Sequence, residues 1–467
     1  MSIVIKQTNV ASEHLVTMKK MLHMVPDIPV SKYNSFNKQA TIPEPIIMYQ
    51  TENEALHVPY LFAHVTLAKE HFIIPTYPAT PLQFKGELRA NQIEVELEAW
   101  EQIQKRGAST LGLYPGYGKT ILGAKLASRI ALLTVILVHR EILTVQWKKT
   151  FTDFTNAKVW IVGEKTPPPS CDVIICMDSR WHHIPQRLRD AVGFLIIDEA
   201  HAFCTPTHVG CLLAFHPKYI LAETATLLRD DGMHSMIQAI VGTHGVFRET
   251  SKPFTVMKVT TNVTPVRKMN RMGGVDYASL VSATLYDERR NKIIWHLVKS
   301  NPTFTILILT SLVDHAMLLH AGLVKVGESC DFMCGTKKSY HDCRVLIGTT
   351  SKIGTGFDQA TACPDYSGKR FDLLILCCSI KKYAMLVQNV GRVFRADYPT
   401  VMYLVDNDTI FTSHWYKAQK WFKMHGGTII KHDMPNPKQP EVKVSAAEVN
   451  DEWAKAAIAR IQNTKKP

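Results

Sequence analysis

Short apolar, β-branched runs recur at residues 134–138, 173–176, 194–197 and 219–221. Each is followed by polar residues and, in most cases, by apolar positions at helical spacing. Continuous apolar strands alternating with helices predict a parallel sheet covered on both faces. Upstream, Ile93, Leu97 and Trp100 fall at helical spacing with charges between them, which predicts a helix over 90–104. A strand is expected at about 109–114, then a glycine turn, then a helix from Lys119 carrying Ile121, Leu122, Ala124, Leu126 and Ala127. The rhythm breaks over 250–275, which is rich in Thr, Lys, Met and Gly, and resumes at 304–309, 344–347, 373–376 and 401–405. A second parallel sheet follows from that resumption.

The expected organisation is an N-terminal accessory region over 1–81, a first α/β domain over 82–250, a linker over 251–275 and a second α/β domain over 276–432. A polar tail over 433–467 closes it, with a short helix at 446–461. The 467 residues suffice for about three domains of ordinary size.

Composition adds a charge argument. Lysine and arginine exceed aspartate and glutamate by 54 to 41, a net charge of +13 that favours polyanionic partners, nucleic acid foremost. The ten cysteines form no repeating framework and several lie in apolar runs, as expected of reduced thiols in an intracellular protein. Cys330, Cys334, His341 and Cys343 lie close together but match no common zinc spacing, and His182-His183 reads as a surface pair. The chain start has no apolar signal core, and no run reaches the length a membrane helix needs, so a soluble protein is expected.

Three motifs carry chemistry. The first is Leu113-Tyr-Pro-Gly116-Tyr117-Gly118-Lys119-Thr120, a glycine turn between a strand and a helix. There, backbone N–H groups and the helix N-terminus converge on phosphate, Lys119 reaches the β/γ phosphates and Thr120 holds Mg²⁺. The strict pattern has glycine where Leu113 stands, so the loop is a variant. The second is Asp198-Glu199-Ala-His201, at the carboxyl end of a buried run, where ligands bind in such sheets. Asp198 is the expected metal ligand, and Glu199 the residue that orients or deprotonates the attacking water. The third is Gln388-Asn-Val-Gly-Arg392-Val-Phe-Arg395, spaced to put three polar groups on one helix face. Arginines supplied from another domain stabilise charge on a transferring phosphoryl group. Trp147 and Phe151, at helical spacing, read as core rather than as base-stacking platforms, and Lys381-Lys382 as a solvated run.

This order of motifs resembles the superfamily-two helicases and translocases, over about residues 82–410. Arg89 and Gln92 resemble the family's adenine-reading start. His139, Arg140 and Gln146 resemble its first nucleic-acid segment, Thr224 and Thr226 the motif coupling ATP to strand movement, and Gly356 with Asp358 the second-domain loop that touches backbone and nucleotide. Thr349 is grouped with the nucleic-acid contacts. The stretch from Thr226 through Arg229 to Gly232 looks like the one in XPB- and UvsW-type helicases, with Asp230 where XPB has Glu. The region from Val58 to Arg89 is similar to helicases of large cytoplasmic DNA viruses, including the poxvirus transcript-release type.

The resemblance implies two RecA-like domains in tandem, with ATP and Mg²⁺ as cofactors and a nucleic-acid track, DNA favoured and RNA open. It implies ATP hydrolysis coupled to translocation or unwinding, in viral transcription or genome maintenance, with transcription or replication proteins as partners and the host cytoplasm or virion as location. An ATP-switched clamp that separates no strands, an RNA helicase and the motor subunit of a nuclease are the alternatives.

Overall fold

The computed structural model describes residues 1–27, 44–164, 167–168, 170–225, 229, 231–249, 252–354 and 357–433. It divides into two compact units, 1–248 and 249 onward. Each is built on a seven-stranded sheet in which every pairing is parallel.

The first sheet runs, edge to edge, Val246–Arg248, Ala108–Leu113, Tyr219–Thr224, Phe194–Asp198, Thr134–Val138, Val173–Met177 and Val159–Ile161. Thr134–Val138 and Phe194–Asp198 are buried at every residue, which is why they read as unbroken apolar runs rather than alternating ones. One face packs Leu111, Ile136, Val138, Ile196 and Leu221 against the helices Ala90–Arg106, Lys119–Ile130 and Glu141–Phe154. The other face packs Val135, Leu137, Leu195 and Ile197 in one core with Met1, Ile5, Leu56 and Val58. Ile5, Leu56 and Val58 belong to a four-stranded antiparallel sheet, Gln50–Glu52, Ala55–Pro59, Ser2–Lys6 and Phe72–Ile73, and Met1 directly precedes its third strand. The N-terminal region is thus continuous with the core of the first unit.

The second sheet runs Cys330–Met333, Val345–Thr349, Ile306–Thr310, Leu373–Leu376, Thr400–Val405, Phe254–Thr260 and Gly427–Asp433. Its sixth strand lies inside the stretch expected to be a linker. Phe254, Val256 and Val259 are buried, and the strand pairs with both neighbours along its length. The intervening Thr255 and Lys258 break the apolar run, so composition hid a strand that the pairing on both sides stabilises. Residues 434–467, including the expected C-terminal helix, lie outside the described residues. Among the described residues no helix is long and apolar enough to cross a membrane.

The 90–104 helix forms, but its signal is inverted. Ile93 and Leu97 face solvent, while Gln92, Val95, Glu96, Ala99 and Ile103 are buried. Glu96 is drawn inward by Arg129, at 2.8 Å, and Gln92 by the glycine turn. Trp147 and Phe151 are fully buried, as their spacing predicts, and all ten cysteines are free thiols.

In the second unit a fully buried histidine is pinned as a neutral tautomer. His315 Nε2 faces Asn291 Oδ1 at 2.9 Å and therefore carries the proton, leaving Nδ1 to accept from the Thr310 hydroxyl at 2.7 Å. Burial, with the Arg290 charge adding to it, pushes this imidazole well below its ordinary value. The unfolded chain then binds a proton that the folded chain refuses, so this group lowers stability as pH falls below about 6.5. In urea unfolding, the parent should lose about 1.4 kcal/mol per pH unit from this residue between pH 6.5 and 5. His315→Gln should be less stable at pH 7.5 but lack that slope. Parallel pH dependences in the two proteins would contradict the assignment.

Candidate nucleotide site and its couplings

The glycine turn sits where the Ala108–Leu113 strand meets the Lys119–Ile130 helix. Gly116 and Gly118 hold φ of +88° and +107°, in the left-handed region open to glycine. Gly118 has a second constraint: a Cβ there would lie 2.3 Å from Gln92 Nε2. That amide donates to the Tyr117 carbonyl at 2.9 Å, Arg89 Nη2 donates to the same oxygen at 3.2 Å, and Gln92 Oε1 accepts from the Arg89 amide. Tyr117 is itself buried, its hydroxyl donating to the Asn91 carbonyl at 2.6 Å. Arg89 and Gln92 therefore brace the backbone of the turn. Lys119 opens the helix, its Nζ donating to the Leu113 carbonyl at 3.1 Å, and Thr120 follows as the second helical residue.

Asp198 ends its strand beside the turn, almost fully buried, with Oδ2 accepting from the Trp147 indole at 2.8 Å. Burial raises its carboxyl, the Glu199 charge raises it further, and Trp147 and Lys119 act against both. Glu199 takes φ of +53°, uncommon for a residue with a Cβ, and lies 3.5 Å from His201 Nδ1. Strained backbone of this kind collects at functional sites, where the surrounding structure holds it.

A third acid escaped the sequence reading. Glu223 is fully buried, lies opposite Asp198 in the register of neighbouring strands, and among the described residues has no hydrogen-bond partner at either carboxylate oxygen. Burial raises its carboxyl well above the ordinary range, Asp198 adds to that, and Lys119 opposes it. A Cβ at position 123 would come within 2.8 Å of its Oε1 and 2.7 Å of the Trp147 ring, so Gly123 makes room for both. The available signal was a charged residue inside an apolar strand.

Residues expected to couple ATP to strand movement meet the same edge. His201 Nδ1 lies 3.0 Å from the hydroxyl of buried Thr224, joining the acidic motif to the next strand. Arg229 donates to the His201 carbonyl at 2.7 Å and is gripped by Asp231 at 2.6 Å. His139 is pushed down to about 4 by burial, with the Glu199 charge opposing, and Arg140 precedes the helix that carries half-buried Gln146. Thr226 and Gly356 lie outside the described residues.

In the second unit, Thr349 ends its strand, buried, and its hydroxyl accepts from Ser351 at 3.2 Å. The helix expected to carry all three polar groups of the last motif stops at Val390. Gln388 lies on it, but Arg392 and Arg395 lie in the tight turns beyond. Gly391 caps the helix, and the Arg392 guanidinium beyond it donates to the carbonyls of Gly354 and Phe357. Arg395 pairs with Asp358 at 2.8 Å. Burial would raise the Asp358 carboxyl, but Arg395 and the Thr361 amide outweigh it and hold it low. Among the described residues no group of three or more His, Cys, Asp or Glu is arranged to hold a metal ion by itself.

Residues 85–229 match the family model described as Type III restriction enzyme, res subunit. The chain is 29% identical over 427 residues to the candidate helicase 161L of Invertebrate iridescent virus 6, covering 84% of this chain and 93% of that one. It is 29% identical over 181 residues to a protein named DNA 3'-5' translocase XPB2 of Sulfurisphaera tokodaii, 39% of this chain and 40% of that one. A solved structure of Dbp5 from S. cerevisiae, bound to RNA and ADP BeF3, superposes with a TM-score of 0.52 at 11% identity, over 80% of this chain and 93% of that one. Two RecA-like domains and this family define a nucleic-acid-dependent ATPase. The matched family model and the helicase-named relatives indicate a superfamily-two helicase.

The unpartnered carboxylate gives a test. A carboxyl raised in the folded state stabilises below about pH 4.5 and loses that contribution as pH rises, so Glu223 weighs most against folding at neutral and alkaline pH. Glu223→Leu, similar in volume and free of desolvation cost, should gain about 1–3 kcal/mol in urea unfolding at pH 8, with the gap to parent narrowing at pH 5. A less stable variant at pH 8 would show that Glu223 is satisfied in the fold.

Proposed function

We propose that this chain hydrolyses ATP with Mg²⁺ to move along nucleic acid, DNA in preference to RNA, and that its role is in viral transcription or genome maintenance. The observation that carries the reading is the cluster at the carboxyl edge of the first sheet, where Asp198 and Glu223 lie opposite each other in register, next to Glu199. The Lys119 charge acts on both Asp198 and Glu223, and Glu199 opposes it at both. A divalent cation fits this cluster of buried carboxyl groups, and Thr120 with Asp198 are the groups that would hold it. When bound, magnesium would supply positive charge to offset the negative charge that develops on the phosphates.

The chain's own groups do the rest. Lys119 leaves the Leu113 carbonyl for the β/γ phosphates, and the amides of residues 116–120 surround them. Glu199 orients the attacking water and takes its proton. His201, held by Thr224 and Arg229, links that carboxylate to the strand that follows. Arg392 and Arg395, carried by the second unit, answer the charge on the transferring phosphoryl group. His139, Arg140, Gln146 and Thr349 face the track. DNA is favoured by the relative named as a DNA translocase, while the Dbp5 complex holds RNA.

ATP turnover measured with single-stranded DNA, duplex DNA and RNA at matched salt should rise at least about tenfold with one DNA form and less with RNA, matched salt being essential because phosphate contacts dominate affinity. Equal turnover with and without every nucleic acid would reject the reading. Arg395→Ala should lower single-turnover hydrolysis by about 10²-fold or more while nucleotide affinity changes little, since an arginine finger acts on charge that develops during transfer. Hydrolysis at the parent rate would remove Arg395 from the reaction.

A further inference from the structure

Residues 261–276, directly after the Phe254–Thr260 strand, form a small braced hairpin whose tip is apolar and exposed. Its base is tied at several points. Arg267 pairs with Asp408 at 2.7 Å and donates to Thr409 at 2.6 Å, and the Asn407 side chain donates to Thr264 at 2.9 Å. Its turn is tied by Asn270, whose amide donates to the Gly274 carbonyl at 2.7 Å while Oδ1 accepts from the amides of Met272 and Gly274. Met269 bridges Val275, and the Asp276 amide donates to the Lys268 carbonyl.

A turn so fixed presents Val266, Met269 and Met272 at 73%, 63% and 66% exposure. Cations lie between them at Arg267, Lys268 and Arg271, and no acid occurs from 261 to 275. The hairpin leaves the carboxyl end of its strand, the edge where parallel sheets bind ligands. Lys381 and Lys382, both exposed, follow the Leu373–Leu376 strand at that edge, two strands or about 10 Å away at ordinary strand spacing. Thr349 and Lys352 lie at the same edge.

We propose that this hairpin is a wedge for nucleic acid: Met269 and Met272 press against unstacked bases while Lys268 and Arg271 hold the flanking phosphates. It rests on the nucleic-acid function proposed above. Charge complementarity selects the occupant, because an acid-free tip flanked by lysines suits a phosphate backbone. Apolar side chains inserted between bases are an established way to unstack a strand, and a tip fixed by its own turn loses little freedom on contact.

The test uses the full chain, a single strand and a forked duplex of DNA carrying 2-aminopurine, whose fluorescence rises on unstacking. The parent should raise that fluorescence and displace the strand with ATP. Met269→Ala/Met272→Ala, with an unchanged urea midpoint, should lose the fluorescence rise and displace at least about tenfold more slowly. Lys268→Ala/Arg271→Ala should bind the single strand with a log–log salt slope shallower by about 1.4, about 0.7 per phosphate contact. Fluorescence and displacement at parent levels in the methionine variant would overturn the wedge. So would parent binding to phosphatidylserine vesicles that the variant lacks while its DNA behaviour is unchanged. ATP turnover of the parent with the same strand keeps the two ideas apart. No stimulation removes the function reading and the wedge together, whereas stimulation with identical fluorescence in parent and variant removes the wedge alone.

Discussion

Buried negative charge at the carboxyl edge of the first sheet is the constraint around which this unit is organised. Asp198 cannot be both desolvated and ionised without help, since isolated charge in a protein interior is costly. The help comes from the Trp147 indole and from Lys119, on two different helices. Both groups reach Asp198 from helices, Lys119–Ile130 and Glu141–Phe154, that pack on the sheet through a shared apolar core. Glycine is also called for at 123, where the first of these helices must pass close over Trp147 and Glu223. The glycine turn is then held from outside by Arg89 and Gln92. An edge so loaded with acid is unfavourable alone and suited to a cation with phosphate, which is the physical content of the nucleotide assignment.

The second unit carries its charge differently. Its buried ion pair, Arg290 with Asp406 at 2.8 Å, is further satisfied by the Thr261 hydroxyl on Asp406 and the Cys377 carbonyl on Arg290, so it acts as a fastener between helix and strands. Arg392 donates to the carbonyls of Gly354 and Phe357, while Arg395 rests on Asp358 at partial exposure. Of the two, Arg395 is the guanidinium that exchanges its partner at lower cost, because one exposed ion pair is worth about 0–1 kcal/mol.

Much of this was legible in the chain. Fully buried parallel strands announce themselves as apolar runs, so both sheets could be placed, and the glycine turn, the Asp198 pair and the arginine motif could be ordered along them. The strand at Phe254–Thr260 was not legible, because threonine and lysine interrupt it and its stability comes from two partners distant in sequence. The inward face of the 90–104 helix was misread for a related reason. Gln92 and Glu96 are buried because particular partners satisfy them, and such partners are invisible to periodicity. Glu223 stands apart, an acid placed inside a core strand with no hydrogen-bond partner among the described residues, and only three-dimensional register shows that it faces Asp198.

The central claim is that Lys119 and Glu199 act on one ATP at this edge, the first by charge on phosphate and the second by handling water. Nucleotide affinity and ATP turnover of Lys119→Ala and Glu199→Gln, compared with parent under saturating single-stranded DNA, test it most directly. The account predicts that Lys119→Ala keeps its fold and loses turnover by at least about 10³-fold in line with removal of transition-state charge stabilisation, and that Glu199→Gln still binds ATP but turns it over at a similarly reduced rate. Turnover near the parent level in either variant, or failure of Glu199→Gln to bind ATP, would contradict it.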